Sequence, residues 1–349
     1  MKFPILTNYR KLKKKDKDYL ADVNFLYNQK NHYIINSAFK SNLVKYEKNY
    51  NNEQSLSPRF SSHLNNVYNI IKNRFKTDSS IIEIGSGKGF FFSLLEKRYK
   101  NIRGFDTTYD GRNNKILKRY ITSQDKINED LIVLRHTLEH IEDFYSFLKN
   151  LKKISKKKTN ILIEVPSLDW ILKNRSFWDF TYEHVNYFSQ KTFENLFKRI
   201  SLNKLVFGKQ YILVLANLNS LNQNFNINKN FETFDLSIKF NIYKKINNLL
   251  STHKKIYFWG SAAKTLMFLS HVKNVNSNLL LKVKSIIDID LKKTNLYMQF
   301  INIKIISPQK YLNLNNKNDL IVVTNPEYYD EVKYYLKTEC KNMPILKKV

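Results

Sequence analysis

The chain has 349 residues, 42% of them hydrophobic, which suffices for two cores and excludes general disorder. Lysine and arginine number 59 against 30 acids, a formal charge of +29, and the single cysteine, Cys340, excludes an internal disulfide framework and a cysteine-cluster zinc site. No apolar run approaches the ~20 residues that span a bilayer, and Met1 to Leu6 is too short a run for a signal peptide, so the expectation is a cytoplasmic protein with no membrane partner.

A positive charge of this size raises nucleic acid or an anionic surface as a partner. The lysines are dispersed, however, with only short runs such as Lys13 to Lys15 and Lys156 to Lys158, and no separable basic-aromatic module stands out. The readings rank as a solvated surface first, attraction to an anionic small molecule such as a nucleotide sugar second, and nucleic acid third.

Residues 1 to 75 are polar and aromatic and end in a predicted helix, Phe60 to Phe75. Its Leu64, Val67, Ile70 and Ile71 recur at helical spacing and would close over the edge of a sheet. Ser79 to Ile84 reads as a short buried strand, followed by Gly85-Ser86-Gly87-Lys88-Gly89 and an apolar helix from Phe90 to Tyr99. A Walker loop needs four residues between its glycines and a Lys-Ser/Thr after them, and the dinucleotide pattern wants its third glycine at Phe90; neither fits. What remains is E-x-G-x-G-x-G, with Glu83 before the turn. A second acid, Asp106, follows the apolar segment Asn101 to Phe105, where ribose hydroxyls would need an acceptor. This resembles motif I and the ribose-binding acid of class I methyltransferases. The resemblance implies S-adenosylmethionine as cofactor, held by Glu83, Gly85, Ser86, Gly87, Gly89 and Asp106.

Further strands are expected at Asp130 to Leu134 and Asn160 to Val165. Strands alternating with helices predict a mainly parallel, doubly wound sheet whose ligands sit at the carboxyl ends of its strands. After the first of these comes Arg135-His136-Thr137-Leu138-Glu139-His140-Ile141. If a helix begins at Thr137, His136 and His140 share a face, with His136 at the cofactor edge and His140 toward the substrate. The competing reading makes them satisfied polar residues capping that helix. Their spacing suits a metal, yet no other ligand cluster accompanies them, and no metal is expected.

After the second strand, Trp178-Asp179-Phe180-Thr181-Tyr182-Glu183-His184 crowds acid, phenol and imidazole groups among aromatics. Such a wall excludes water and shifts a histidine from its reference pKa near ~6.5 toward a useful base. The competing reading makes His184 a buried structural donor and Ser189 the N-cap of a helix from Gln190 to Ile200. Residues 201 to 250 read as a connecting segment, with an apolar run at Tyr211 to Ala216 and an Asn-rich stretch near Asn217 to Asn230. From 251 to 349 a second α/β unit repeats the strand-turn-helix logic: Ile256 to Gly260, Ser261 to Lys264, a helix from Thr265, then strands ending at Asp288, Pro308 and Pro326.

Taken in order, the Glu83 to Gly89, Arg135 to Ile141 and Tyr182 to Ser189 segments resemble bacterial sugar C-methyltransferases, which act on keto intermediates of nucleotide-linked deoxysugars. Ile256 to Lys264, Ile286 to Asp290, Ile305 to Pro308 and Asn325 to Tyr328 are similar to that family's C-terminal domain. The resemblance implies a Rossmann-like class I methyltransferase domain at 76–200 followed by a second Rossmann-like α/β domain at 251–349. Residues 1–75 would then be a degenerate zinc module with a cofactor-covering helix. It implies His184 as the base that forms an enolate, paired with Glu183 and assisted by Tyr182 and His140. Two departures stand out: Asn28 and Asn31 occupy the places of a Cys-x-x-Cys pair, and Thr181 replaces a family tyrosine, with Tyr182 adjacent. The expected activity is methylation of a nucleotide-linked keto sugar at carbon, followed by O- or N-methylation of another small anionic or glycan acceptor, and then by RNA methylation.

Overall fold

The computed structural model describes residues 1–7, 9–11, 20–45, 54–225, 227 and 230–349. The Lys13 to Lys15 run and part of the Asn-rich stretch lie outside them. Among the described residues, two seven-stranded sheets organise the chain, accompanied by a four-stranded antiparallel sheet and a two-stranded ladder. The fold is α/β throughout, one Rossmann-like sheet followed by a second.

The first sheet runs in the order Ile200–Val206, Tyr211–Asn217, Asn160–Pro166, Leu131–Arg135, Ile81–Ile84, Ile102–Phe105, Ile116–Leu117. The last five are mutually parallel and Tyr211–Asn217 is antiparallel to its neighbours. Side chains alternate between faces along a strand. Ile81, Leu131, Val133 and Leu162 therefore pack on the helices Pro58–Lys72 and Phe90–Glu96, while Ile82, Ile132, Leu134, Ile161 and Ile163 pack on Phe144–Ile154 and Gln190–Leu196. The strand Ile81–Ile84 is buried at every position, as a central parallel strand must be.

Pro58–Lys72 starts where Ser57 accepts the Phe60 N–H at 3.2 Å and Pro58 needs no hydrogen-bond partner. Gln190–Leu196 starts on Ser189 through a capping box with Thr192, as the sequence indicated. The apolar run at Tyr211 is a sheet strand rather than a connector. Residues 200–217 form a hairpin that adds to this sheet, so the sheet extends past position 200, because the six-residue apolar run Tyr211 to Ala216 needs two covered faces.

The second sheet runs Tyr9–Arg10, Tyr297–Met298, Ile303–Ile306, Val283–Ile287, Ile256–Trp259, Leu320–Val323, Ile345–Lys348, the last five parallel. Its far edge is a strand from the start of the chain, Tyr9–Arg10, paired antiparallel with Tyr297–Met298. The four-stranded sheet lays Asn186–Phe188 against Tyr33–Asn36, so residues just after His184 are clamped to the N-terminal hairpin. Where the resemblance leads one to expect cysteines, buried Asn28 accepts the Asn31 N–H at 2.8 Å and closes the turn between Phe25–Asn28 and Tyr33–Asn36. The amide there makes a local turn bond of the kind a metal clip would otherwise enforce. Among the described residues, no helix is long and apolar enough to cross a membrane.

Candidate active site

The carboxyl ends of both Rossmann-like sheets face one cavity of about 820 Å³. Gly85 to Lys88, Asp106, Arg135 to Thr137, Glu139, His140, Glu183 and His184 line one side. Trp259 to Thr265, Asp288, Thr324 and Asn325 line the other. The halves are held together around it: Trp178 Nε1 donates to Thr324 O at 3.0 Å, Gln210 Nε2 donates to Asn325 Oδ1 at 2.7 Å, and Lys264 pairs with Asp179.

The glycine turn has a physical reason at two positions. A Cβ on Gly85 would fall 2.1 Å from Thr137 Oγ1, and Gly87, with φ +54°, meets nothing within 4 Å, so its bare backbone fronts the cavity. Gly87 N–H donates to Asp106 Oδ2 at 2.7 Å, while the Thr108 N–H and hydroxyl each donate to Asp106 Oδ1 at 2.7 Å. These bonds fix the acid at the end of the neighbouring strand. Glu83 is 2% exposed, and its Oε2 is buried without a hydrogen-bond partner. Burial pushes its pKa up to about 7, against the opposing pull of Arg135. A turn with open space over Gly87, a fixed acid, and an orphaned buried carboxylate oxygen fits a cationic nucleoside. Glu83, Gly85, Ser86, Gly87 and Asp106 are the residues that would hold it, while Gly89, which has φ +80°, lies behind the loop against Tyr109 and Ile116.

His136 has φ +48°, and the next residues form one 3₁₀ turn, Leu138–His140, rather than an α-helix. His136 and His140 therefore part company. His136 turns inward, its Nε2 3.4 Å from Glu164 Oε1 and its Nδ1 3.5 Å from Glu139 Oε1, with Tyr211 edge-on at 4.5 Å. Burial depresses its pKa, but the two carboxylates outweigh this and hold it up to about 9. Glu164, fully buried, takes Arg135 Nε at 2.8 Å and His63 Nε2 at 2.6 Å, and these partners keep it well below the usual carboxylate range despite burial. Neither His63 nor Glu164 carries a motif; each sits inside an ordinary helix or strand pattern, and only the fold brings them together.

His140 faces the other way. Its Nδ1 lies 2.9 Å from Glu183 O and its ring is edge-on to His184, centroids 4.8 Å apart. His184 Nδ1 is buried without a hydrogen-bond partner, and burial, then His140, push its pKa down to about 3, leaving a neutral ring. Glu139, which the sequence reading passed over, is 1% exposed. Burial raises its pKa, but His136, His140 and His184 prevail and hold it below its ordinary value. Glu183 sits at the cavity wall and is 4% exposed. Tyr182 does not line the cavity: it is fully buried, its ring packs on Phe39 and its hydroxyl accepts the Lys40 N–H at 2.9 Å. The bend between the 3₁₀ turn Phe177–Asp179 and the strand Asn186–Phe188 carries Tyr182 into the core, and Thr181 lines the cavity instead, accepting the His184 N–H at 3.2 Å. The cavity's cations are largely matched already, Lys88 with Asp110, Arg119 with Asp125, Arg135 with Glu164 and Lys264 with Asp179.

Residues 62–205 match the family model described as "Methyltransferase domain". A comparison with curated proteins returned no match. Among solved structures, the chain is similar to the PH0226 protein of Pyrococcus horikoshii OT3, at 13% identity over 50% of this chain and 99% of that one, TM-score 0.37. It is similar to the N-methyltransferase NodS of Bradyrhizobium japonicum WM9 at 15% identity over 47% and 98%, TM-score 0.35. The mitomycin 7-O-methyltransferase MmcR matches at 12% identity over 45% and 54%, TM-score 0.34. At such identities and scores these likenesses carry no argument about the acceptor. The family match covers the glycine turn, Asp106, the His136 to His140 segment and His184, so residues 62–205 carry a methyltransferase domain, with S-adenosylmethionine as its cofactor.

Proposed function

We propose that the chain methylates a nucleotide-linked keto sugar at the carbon next to the ketone. The observation that carries this reading is His184: a neutral imidazole with an unpartnered buried Nδ1, on the wall of the cavity that also holds the glycine turn. Carbon nucleophiles need a proton acceptor. His184 is in its acceptor state at neutral pH, and an imidazolium formed there would face the ionised Glu139 and the enolate produced beside it. Bound S-adenosylmethionine supplies the electrophilic methyl. The protein's part is alignment, with Asp106 and Gly87 fixing one reactant and the Trp259 to Thr265 wall facing the other. A cavity of about 820 Å³ has room for a cofactor and an acceptor of nucleotide-sugar size. Cytoplasmic residence follows the same reading, since such acceptors are made there.

The low basicity of His184 favours a second reading, O- or N-methylation of a small acceptor that yields its proton more easily than a carbon acid. Carbon-13 NMR of the product formed from labelled cofactor and a panel of nucleotide keto sugars decides between them. A new methyl on carbon supports the first reading, and one on oxygen or nitrogen replaces it. His184→Gln should abolish turnover while calorimetry with S-adenosylhomocysteine still finds full affinity. Unchanged turnover in that variant removes His184 from the chemistry.

A further inference from the structure

His136, whose spacing to His140 suited a metal, turns to Glu139 and Glu164 instead. The fold creates a different set. One ligand atom each from Glu139, His140 and His184 lies within 4.8 Å of the others, although His184 is far along the chain and comes from another strand connection. A carboxylate with two imidazoles is a donor set suited to Zn²⁺ and its congeners, with further positions left to water or a ligand.

Two independent observations point into this space. Glu139 is 1% exposed, yet neither of its carboxylate oxygens accepts a hydrogen bond; the nearest cation is His136 Nδ1, 3.5 Å from Oε1. That cation is shared with Glu164, which leaves the oxygens of this buried carboxylate short of donors, and buried charges are normally paired, hydrogen-bonded or bound to metal. The second is orientation. His140 Nδ1 lies at donor distance, 2.9 Å, from the carbonyl of Glu183, which assigns the proton to Nδ1 and the lone pair to Nε2. A backbone carbonyl on the non-ligating nitrogen is the usual outer support of a ligating histidine. His184 Nδ1, buried and without a hydrogen-bond partner, contributes the second imidazole lone pair.

We propose that Glu139, His140 and His184 form a divalent-cation site of the zinc type at the floor of the cavity, and that a cation there occupies the lone pair His184 would use as proton acceptor. Three donors each ~2.1 Å from a metal stand roughly 3–3.5 Å apart, so closing the set from within 4.8 Å requires side-chain torsions of about an ångström. The binding site stands on this geometry alone. The antagonism toward turnover rests on the reading of His184 as the base.

The test uses the full chain, treated with chelator and then titrated with Co²⁺ while visible absorbance is followed. The expected result is one equivalent bound with ligand-field bands in the visible, and at least ~10-fold weaker binding in both Glu139→Gln and His184→Gln. Because Glu139 is buried, circular dichroism and S-adenosylhomocysteine binding check that its variant folds, and the His184 variant decides if it does not. Absence of a saturable cobalt spectrum, or an unchanged spectrum in the folded variants, overturns the site. In the methyl-transfer assay, Zn²⁺ should suppress turnover in step with its occupancy, and chelator should restore it. Turnover unaffected or raised by saturating Zn²⁺ overturns the antagonism. A protein that binds cobalt as expected but methylates none of the sugars with or without chelator keeps the cation site and loses the functional reading instead.

Discussion

The two glycine turns facing the cavity share a backbone and differ in what surrounds it. In the first half Gly87 donates its N–H to Asp106 at 2.7 Å, and in the second Ser261 donates to Asp288 at 2.7 Å, each acid closing the next strand. Gly87 and Gly260 both have positive φ, +54° and +90°, and open space where a Cβ would be. In the strand that leads into the turn, however, the first half has Glu83, four residues before Gly87, with a bare oxygen, and the second has fully buried, apolar Phe258, two residues before Gly260. The second turn is also plugged by its own chain: the Ser261 hydroxyl donates to Asp288 at 2.5 Å, Asp290 N–H to the other carboxylate oxygen at 2.8 Å, and the Tyr9 hydroxyl to Ser261 O at 2.7 Å. A strand-turn-helix unit makes a cradle possible. The polar atoms left without partners decide whether it has work for a charged ligand.

The largest effect should come from the glycines. Gly87→Arg forces a bulky cation into a left-handed position over the cavity and should weaken S-adenosylhomocysteine binding at least ~100-fold, or about 2.7 kcal/mol by calorimetry, whereas Gly260→Arg should leave it within roughly twofold. Equal losses would erase the distinction between the halves.

The acids come next. Asp106→Asn should cost about tenfold in cofactor affinity, since it weakens charge-assisted bonds that order the loop. Asp288→Asn should leave that affinity alone and lower urea stability by about 1–3 kcal/mol, because three donors lose a charged acceptor in a buried site.

Glu83 sharpens the contrast through pH. Its folded pKa of about 7 exceeds the ordinary 4.5, so its contribution to stability is fully present below about 4.5 and is lost as pH rises through about 7. A cationic ligand favours the ionised form, so binding should strengthen between pH 6 and 8, about tenfold for each unit by which the ligand lowers this pKa. Glu83→Gln should flatten the profile. A profile unchanged by the substitution would assign the titration elsewhere. The smallest effect belongs to Tyr9→Phe, which removes one hydrogen bond across the second turn and should lower stability by about 0.5–1.5 kcal/mol in urea with no change in cofactor affinity.

Much of this arrangement was legible in residue order. The alternation of short apolar runs with helical spacing marked both sheets, the glycines and Glu83 marked the first turn, and Asp106 stood where the next strand ends. Those signals are local, because strand period, turn chemistry and an acid one βα unit away are all encoded within a few dozen residues. Three features escaped. The hairpin of residues 200–217 resembled a connector, Tyr182 looked like a cavity phenol, and Glu139 stood unmarked between two histidines.

The sequence by itself determined the fold class and the cofactor turn, since burial periodicity and the backbone freedom of three closely spaced glycines follow from residue type alone. Only the tertiary structure decided which titratable groups meet. His136 and His140 are neighbours in the chain yet turn apart at one left-handed residue. Glu139, His140 and His184 converge because the four-stranded sheet pins Asn186–Phe188 to the N-terminal hairpin and carries His184 back over the 3₁₀ turn. Contacts between distant segments are fixed by packing of whole elements, and no spacing rule along one strand or helix contains them.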